Sequence, residues 1–374
     1  MKKIGIITFH RSLNYGSALQ NYALQQKIKE LSAGDEVETI DYYPERIKWI
    51  RSAFIPVRSP KNILTNGMAL LFYPAFRKRR EAFDSFLEEQ VKVGKEKYFG
   101  KADMSKIDDD YDILVAGSDQ IWNTVTVDFS DKYFFVDSKK AKKIAYAPSI
   151  GNGTFSGDKH QKIQAGLKDF SAISVREGTG AEKLKIFLGQ DVPVVIDPTL
   201  LIDKTNYEKI ASNHLVNEKY IFMYSVHQDE PFLAEVKKIS KKTGLPVYTV
   251  YAGRGSFRVL KYGFHLRKDA SPQDFLALIR DAELVVSNSF HGTAFSVIFQ
   301  KNFFSIVMRE QKTRDVRIDT LLTKIGLEDR MLFYGDVENV DFSREIDYSK
   351  IQPKINDYCA FSVEYLKNAL GLEK

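Results

Sequence analysis

One stretch decides the fold of this chain: Glu283-Leu-Val-Val-Ser-Asn-Ser-Phe-His-Gly-Thr-Ala-Phe-Ser-Val-Ile-Phe-Gln300. The run from Leu284 to Val286 is apolar and largely β-branched, which is typical of a short buried strand. A polar turn from Ser287 to Gly292 follows it, and an apolar helix begins near Ala294. This order predicts a strand, a turn and a helix, the unit from which parallel sheets are built.

The turn in this unit carries side chains that suit an anionic ligand. In open α/β sheets, ligands bind at the carboxyl ends of strands, and helix N-termini offer backbone N–H groups to anions. Ser289, His291 and Thr293 lie at such a place and could surround a phosphate or a carboxylate. Alternatively, Ser289 only caps the helix and His291 is a satisfied core histidine. The residues themselves leave both interpretations open.

Length and composition set the broad class of the protein. A chain of 374 residues is long enough for two domains, and its apolar fraction of 44% suits a well-filled core. No run of about 18 apolar residues appears, so no transmembrane helix is expected. Cys359 is the only cysteine, which excludes an intrachain disulfide and suits a reducing cytoplasm.

The order of predicted elements indicates two α/β halves. A strand at 4–9, a helix at 17–31 and a strand at 37–41 form a βαβ opening, and the pattern resumes at Tyr111. A strand at 192–196 is expected to lead into the second half. The resulting prediction is an α/β protein with two Rossmann-like domains that face a cleft.

The predicted domain boundaries follow this pattern. The N-terminal domain covers residues 1–195 and contains a basic insertion at about 44–110. The C-terminal domain covers 196–350, and a tail helix at 351–374 is expected to pack back on the N-terminal domain.

The segment 46–80 has an unusual charge balance. It contains nine Lys or Arg residues and no Asp or Glu, which exceeds the net charge of +6 of the whole chain. One interpretation is a patch for an anionic acceptor or an anionic membrane surface. Two others are a mobile lid over the site and an ordinary solvated face.

Several short motifs resemble one family. They are Asn14-Tyr15-Gly16, Gly117-Ser118-Asp119-Gln120-Ile121-Trp122-Asn123, Ala147-Pro148-Ser149-Ile150-Gly151, Ser174-Val175-Arg176-Glu177, Asp197-Pro198-Thr199 and Ser289-Phe290-His291-Gly292-Thr293-Ala294-Phe295-Ser296. All six are similar to motifs of the polysaccharide pyruvyl transferase family and stand in that family's order. The resemblance covers roughly residues 3 to 330 and implies a glycosyltransferase-B-like architecture.

The resemblance also implies an activity. Members of the family move a pyruvyl group from phosphoenolpyruvate to two hydroxyls of a sugar, and a pyruvate ketal forms. Here the acceptor would be a cell-surface polysaccharide or its lipid-linked precursor, with the protein in the cytoplasm or at the inner face of the membrane. No cofactor, metal or nucleic acid is expected. The alternatives are a nucleotide-sugar-dependent glycosyltransferase on the same fold and a non-catalytic glycan-binding homologue.

Candidate site residues follow from the motifs and from the chemistry that the reaction needs. An acid and a base are required, and the donor is doubly anionic. The candidate catalytic residues are His291, Arg176 and Asp119. The candidate donor-binding residues are Ser289, His291, Gly292, Thr293 and Arg176. The candidate acceptor-binding residues are Asn14, Gly16, Ser118, Asp119 and Trp122.

Overall fold

The computed structural model describes residues 1–47, 51–54, 56–155, 161–226, 228–309 and 315–372. They divide into two compact units. The first unit comprises Met1–Leu71, Asp84–Ile202 and Tyr358–Lys374, and the second comprises Phe72–Phe83 and Asp203–Asp357. The domain boundaries drawn from the sequence stay predictions.

The first unit is built on a six-stranded sheet in which every pair of neighbours is parallel. Its strands are β1 Lys3–Ile7, β2 Glu36–Tyr43, β3 Val93–Phe99, β4 Ile113–Ala116, β5 Lys142–Ala145 and β6 Phe170–Ile173. The helices that lie in it wholly or in part are α1 Tyr15–Leu31, α2 Pro60–Leu71, α3 Tyr73–Gln90, α4 Ile107–Asp110, α5 Gln161–Lys168 and α6 Gly178–Leu188.

The strand order of this sheet is β3-β2-β1-β4-β5-β6. The order reverses between β1 and β4, and in open α/β sheets such a reversal is where ligands bind, at the carboxyl ends of the strands. Both strands are almost wholly buried, because the sheet is covered on both faces, and this explains their unbroken apolar sequences. Helix α1 begins at Asn14, whose side chain accepts a hydrogen bond from the Ser17 backbone N–H.

The second unit repeats this construction. Its strands are β7 Ile221–Tyr224, β8 Val247–Val250, β9 His265–Arg267, β10 Leu284–Ser287, β11 Phe303–Val307 and β12 Met331–Phe333. The further helices are α7 Lys204–Ile210, α8 Glu230–Thr243, α9 Pro272–Asp281, α10 Phe290–Ile298, α11 Val316–Ile325 and α12 Tyr348–Leu370. The strand order β12-β11-β10-β7-β8-β9 is all parallel and reverses between β10 and β7.

The last part of α12 belongs to the first unit. The Ile196 backbone N–H donates to the hydroxyl of Ser362 over 2.9 Å, and the Tyr365 hydroxyl donates to the carbonyl of Ala145 over 3.0 Å. Within the described ranges, no helix combines the length and the apolar character that a membrane crossing requires.

The α/β class and the two Rossmann-like sheets confirm the prediction from sequence. Three edge strands were missed: β3, β9 and β12. Strand β3 reads Val-Gly-Lys-Glu-Lys-Tyr-Phe and lies in the predicted insertion, yet it pairs with β2. The strand expected at 192–196 is wrong, because only an isolated bridge between Val175 and Val194 forms there.

Candidate active site

Five of the family-like motifs converge in the first unit, although they span residues 14 to 199 of the chain. Four of them lie at the carboxyl end of a strand or at the helix start that follows it, and the fifth, Asp197 to Thr199, lies at the start of a short 3-10 helix. Asp119 follows β4 and is 6% exposed. Its carboxylate accepts hydrogen bonds from the Ser17 hydroxyl and from the Gln120 backbone N–H. The predicted residues Asn14, Gly16, Ser118, Asp119 and Arg176 therefore lie in one region.

The backbone of Asp119 is strained. Its φ of +74° lies in the left-handed region, which costs a non-glycine residue about 1–3 kcal/mol. Ala147, on the neighbouring strand end, has a φ of +55°. The carbonyl of Asp119 accepts a hydrogen bond from the Ser149 N–H over 2.7 Å, which ties the two turns together. Backbone strain of this kind is found mainly at functional sites. It persists only where the surrounding structure holds the strained residue in place.

Arg176 does not face an open anion site. It is 2% exposed and forms an ion pair with Asp197, and a terminal nitrogen lies 3.9 Å from Oδ1 of Asp119. Ser118 also donates to Asp197, over 3.0 Å. The predicted direct contact of Arg176 with the donor therefore needs revision, since its guanidinium already lies between two carboxylates. Its position fits a role in orienting Asp119.

Glu177, the residue that follows Arg176, has a structural role in the first unit. Its Oε1 accepts hydrogen bonds from the backbone N–H groups of Ile150, over 2.8 Å, and Gly151, over 2.9 Å. The side chain is fully buried. Glu177 thus holds the turn after β5, which carries the Ala147 to Gly151 motif.

Trp122 differs from its prediction. Its ring is fully buried and stacks on Phe134 with centroids 4.9 Å apart, while the indole N–H donates to the carbonyl of Tyr133. No face of the ring is open to a sugar, so the acceptor-stacking role is corrected to core packing. Large aromatic side chains fill cores as readily as they bind sugars, and the sequence did not separate these uses.

The second group of predicted residues lies in the second unit, at the end of β10 and the start of α10. Ser289 occupies the N-cap position, but its side chain makes no capping hydrogen bond. His291 is 6% exposed, in the first turn of α10, with its ring 5.2 Å from that of Phe290. The interpretation of Ser289 as a simple cap is therefore not supported, and Ser289 and His291 remain candidates for contact with a ligand.

Gly292 and Thr293 each have a structural role within the second unit. A Cβ at Gly292 would meet Oγ of Ser287 at 2.1 Å, so only glycine allows α10 to approach β10 this closely. The hydroxyl of Thr293 is fully buried and lies 2.7 Å from that of Ser305. The predicted use of the Thr293 hydroxyl by the donor is corrected, because this group is engaged inside the unit.

Three residues at the first-unit site were missed. Ser17 contacts Asp119 and directly follows the motif Asn14 to Gly16, whereas Asp197 contacts Arg176 and lies within a quoted motif, so the motifs pointed to the neighbourhood of both. Asp128 lies outside the six motifs, and it lines a small cavity together with Thr8 and Arg11. Burial, together with the negative charge of Asp119, raises the pKa of Asp128 to about 6.

Comparison with known proteins identifies both the fold and the family. A family model described as polysaccharide pyruvyl transferase matches residues 14–309. Among the curated proteins, none matches this chain. The chain is also similar to three solved structures, at 10–12% identity.

The first of these structures is described as a UDP-N-acetylglucosamine 2-epimerase from Listeria monocytogenes; it has a TM-score of 0.55 at 12% identity and covers 98% of this chain and 95% of its own. The second is S. aureus MnaA with UDP, with a TM-score of 0.52 at 12% identity over 100% and 98% of the two chains. The third is the UDP-GlcNAc 2-epimerase from Methanocaldococcus jannaschii, with a TM-score of 0.52 at 10% identity over 95% and 92%. These likenesses show a glycosyltransferase-B-like fold, as predicted.

Proposed function

Because the chain belongs to the polysaccharide pyruvyl transferase family, we propose that it uses phosphoenolpyruvate as the donor for pyruvylation of a sugar. The acceptor is a cell-surface polysaccharide or its lipid-linked precursor, and the product is a cyclic pyruvate ketal. The reaction takes place in the cytoplasm or at the inner face of the membrane, where phosphoenolpyruvate is available.

The balance of this reaction defines what the residues must do. Carbon 2 of the donor forms bonds to two sugar oxygens, and its bond to the phosphate oxygen breaks. The methylene carbon gains a proton and becomes a methyl group. Two sugar hydroxyls each lose a proton, and the leaving phosphate takes up the second one. The site therefore needs a proton donor and at least one proton acceptor.

On the acceptor side, we assign Asp119 the role of orienting or deprotonating a sugar hydroxyl. The observation that carries this proposal is the convergence of five distant motifs on this strained and buried carboxylate. Ser17 and Arg176 fix its position, and Asn14 places Ser17 by capping α1. A carboxylate held in this way is oriented before the acceptor binds, which favours catalysis.

On the donor side, we assign the start of α10 to the phosphate and carboxylate of phosphoenolpyruvate. The first N–H groups of a helix have no intrahelical partners and attract anions. Ser289 adds a hydroxyl there, and His291 adds an imidazole, a group that can act as a proton donor. In this proposal His291 protonates the methylene carbon.

The test compares donors and follows product formation. Purified protein is mixed with phosphoenolpyruvate and with the polysaccharide and lipid-linked sugar fractions of the source cells, and phosphate release is measured. His291→Ala and Asp119→Asn should each lose most of the activity and remain folded. The matched control is His265→Ala, an exposed histidine at the start of β9 in the same unit as His291.

Two results would overturn the proposal. One is phosphate release that does not depend on any acceptor fraction. The other is turnover of a nucleotide sugar instead of phosphoenolpyruvate, which would favour the glycosyltransferase alternative. Unchanged activity in His291→Ala would remove His291 from the mechanism but leave the reaction in place.

A further inference from the structure

Asp128 lies on the loop that follows β4, nine residues after Asp119. It is half-buried and lines a cavity of about 10 Å³ together with Thr8 and Arg11, which follow β1. A cavity of this volume holds about one water molecule, and one hydroxyl group of a ligand needs the same space. The cavity can therefore take a single oxygen atom beside the carboxyl of Asp128.

This small cavity is tied to the candidate base Asp119. The hydroxyl of Thr8 donates a hydrogen bond to the carbonyl of Ser118 over 2.9 Å, and Ser118 directly precedes Asp119. The side-chain amide of Gln20 donates to the Thr8 hydroxyl over 2.7 Å, so the position of Thr8 is fixed. The charge of Asp119 also acts on the carboxyl of Asp128. The small cavity and Asp119 therefore belong to one site.

A role in the fold does not explain Asp128. In the part of the chain that the structure describes, the groups that act on its carboxyl are its own backbone N–H, the Thr126 side chain and Asp119, and none is basic. Arg11 lines the same cavity, but its guanidinium donates to both carboxylate oxygens of Asp41, over 2.9 and 2.8 Å. A partly buried carboxylate without a cation is costly to the fold. Burial, together with the charge of Asp119, raises the pKa of Asp128 to about 6, and a base works best when its pKa lies near the working pH.

The loop that carries Asp128 also borders a much larger cavity in the first unit. Thr126 and Phe129 line this cavity, whose volume of about 940 Å³ lies at the upper end of the range of about 300–1,000 Å³ for small-molecule sites. Tyr42 and Pro44 line both cavities, so the two adjoin. A glycan can therefore occupy the large cavity while one of its sugar units reaches Asp128.

The proposed reaction needs two proton acceptors in turn. In the first step one sugar oxygen bonds to carbon 2 of the donor, its proton goes to Asp119, and the methylene carbon gains a proton from His291. In the second step the other sugar oxygen bonds to carbon 2, and the bond from carbon 2 to the phosphate oxygen breaks. Asp119 already holds a proton after the first step, so a second acceptor is needed for the second hydroxyl.

We propose that Asp128 is a second catalytic base, which takes the proton of the second sugar hydroxyl in the small cavity. The leaving phosphate then takes up this proton, and the proton on Asp119 replaces, through solvent, the one that His291 gave. This inference rests on the proposed function and deepens it, because it assigns the two new carbon–oxygen bonds to two different carboxylates.

The test uses phosphoenolpyruvate labelled with ¹³C at carbon 2, with the full chain in excess over the donor. The acceptor is the polysaccharide or lipid-linked sugar fraction of the source cells that supports phosphate release, and NMR assigns the label after quenching. Asp128→Asn keeps the size of the side chain and removes the proton acceptor. Asp103→Asn is the matched control, because Asp103 is an exposed aspartate of the same unit that accepts hydrogen bonds only from Ser105 among the described residues.

The wild type and Asp103→Asn should place the label in a ketal carbon that is bonded to two sugar oxygens. Asp128→Asn should form this ketal about 100-fold more slowly, with unchanged circular dichroism. It should also accumulate label that is bonded to one sugar oxygen, either with the phosphate still attached or as an enolpyruvyl ether after phosphate and a methyl proton have left. A general loss of folded protein would slow both bonds equally and would give no singly linked product.

Ketal formation at the wild-type rate in Asp128→Asn overturns this inference and leaves the proposed function in place. Slower consumption of the donor without any singly linked product has the same meaning. If the wild type itself forms no ketal, the proposed function falls and the inference falls with it. The wild-type reaction therefore distinguishes the two failures.

Discussion

The hydroxyl of Ser17 donates a hydrogen bond to Oδ2 of Asp119, a residue 102 positions further along the chain. This contact joins the first turn of α1 to the carboxyl end of β4. It gives Asp119 a fixed orientation and occupies one of its two carboxylate oxygens. The other oxygen, Oδ1, accepts the Gln120 backbone N–H over 2.8 Å, and in the proposed mechanism its second lone pair acts on the acceptor hydroxyl.

We expect Asp119→Asn to lower kcat by about 100-fold or more, because a positioned base contributes about 10²–10⁴-fold to a rate. Ser17→Ala should lower kcat by roughly tenfold, since it removes a hydrogen bond that only orients the base. The KM for phosphoenolpyruvate should stay the same in both variants. Steady-state kinetics with the active acceptor fraction measures these effects.

The control for Ser17 lies on the same helix. Ser32 donates to the carbonyl of Ile28 over 2.7 Å at the other end of α1, so Ser32→Ala is the same chemical change away from Asp119. It should leave kcat unchanged. An equal loss in Ser17→Ala and Ser32→Ala would mean that helix stability, and not the orientation of Asp119, explains the effect.

The ion pair between Arg176 and Asp197 predicts a stability effect. Both side chains are almost fully buried, and removal of the Asp197 charge leaves Arg176 with only the more distant carboxylate of Asp119, at 3.9 Å. Asp197→Asn should therefore destabilise the first unit by about 3–5 kcal/mol. Urea denaturation followed by circular dichroism checks this.

Asp203→Asn is the matched control for that experiment, because Asp203 is an exposed helix cap at the start of α7. It should cost only about 0.5 kcal/mol or less, because Asn caps a helix about as well as Asp and only the charge at the helix start is lost. If Asp197→Asn lowered the free energy of unfolding by no more than this control does, the buried ion pair would not be a significant source of stability.

Asp128 predicts a pH dependence of stability. Burial, with the charge of Asp119, raises the pKa of Asp128 to about 6, well above its value in an unfolded chain. Between these two pKa values the folded state binds more protons than the unfolded state. Stability therefore falls as the pH rises through this window.

In the variant Asp128→Asn the side chain at this position cannot ionise. The variant should therefore not lose stability as the pH rises. At pH 7.5 we expect it to be about 1–3 kcal/mol more stable than the wild type, and near pH 4 the difference should vanish. Thermal melting across this pH range measures the effect. A variant that is less stable than the wild type at pH 7.5 would show that the ionised carboxylate has a stabilising partner.

The sequence predicted the fold well where strands are buried on both faces. The apolar runs of β1, β4 and β10 could hardly form anything else in a chain with alternating helices. Edge strands were missed because their sequences lack that signal. Strand β9 has only three residues, and β3 has three consecutive charged residues, Lys95 to Lys97, in its middle.

The candidate site was predicted less completely, for a physical reason. Motifs show which residues lie at strand ends, but they do not show which side chains face each other. Arg176 therefore looked like an anion ligand until its contact with Asp197 was seen. Trp122 and Thr293 looked available, but both are buried inside their units. Asp128 has no motif, and only the folded chain shows its neighbours.

The central claim is that the chain moves the three-carbon unit of phosphoenolpyruvate onto a sugar. The most direct measurement uses phosphoenolpyruvate labelled with ¹³C at its methylene carbon and follows the label by NMR. We predict a labelled methyl group on a quaternary ketal carbon of the glycan, with one phosphate released per methyl group and none formed by His291→Ala. A label that appears only in free pyruvate, or that stays in the donor while a nucleotide sugar is consumed, would contradict the account.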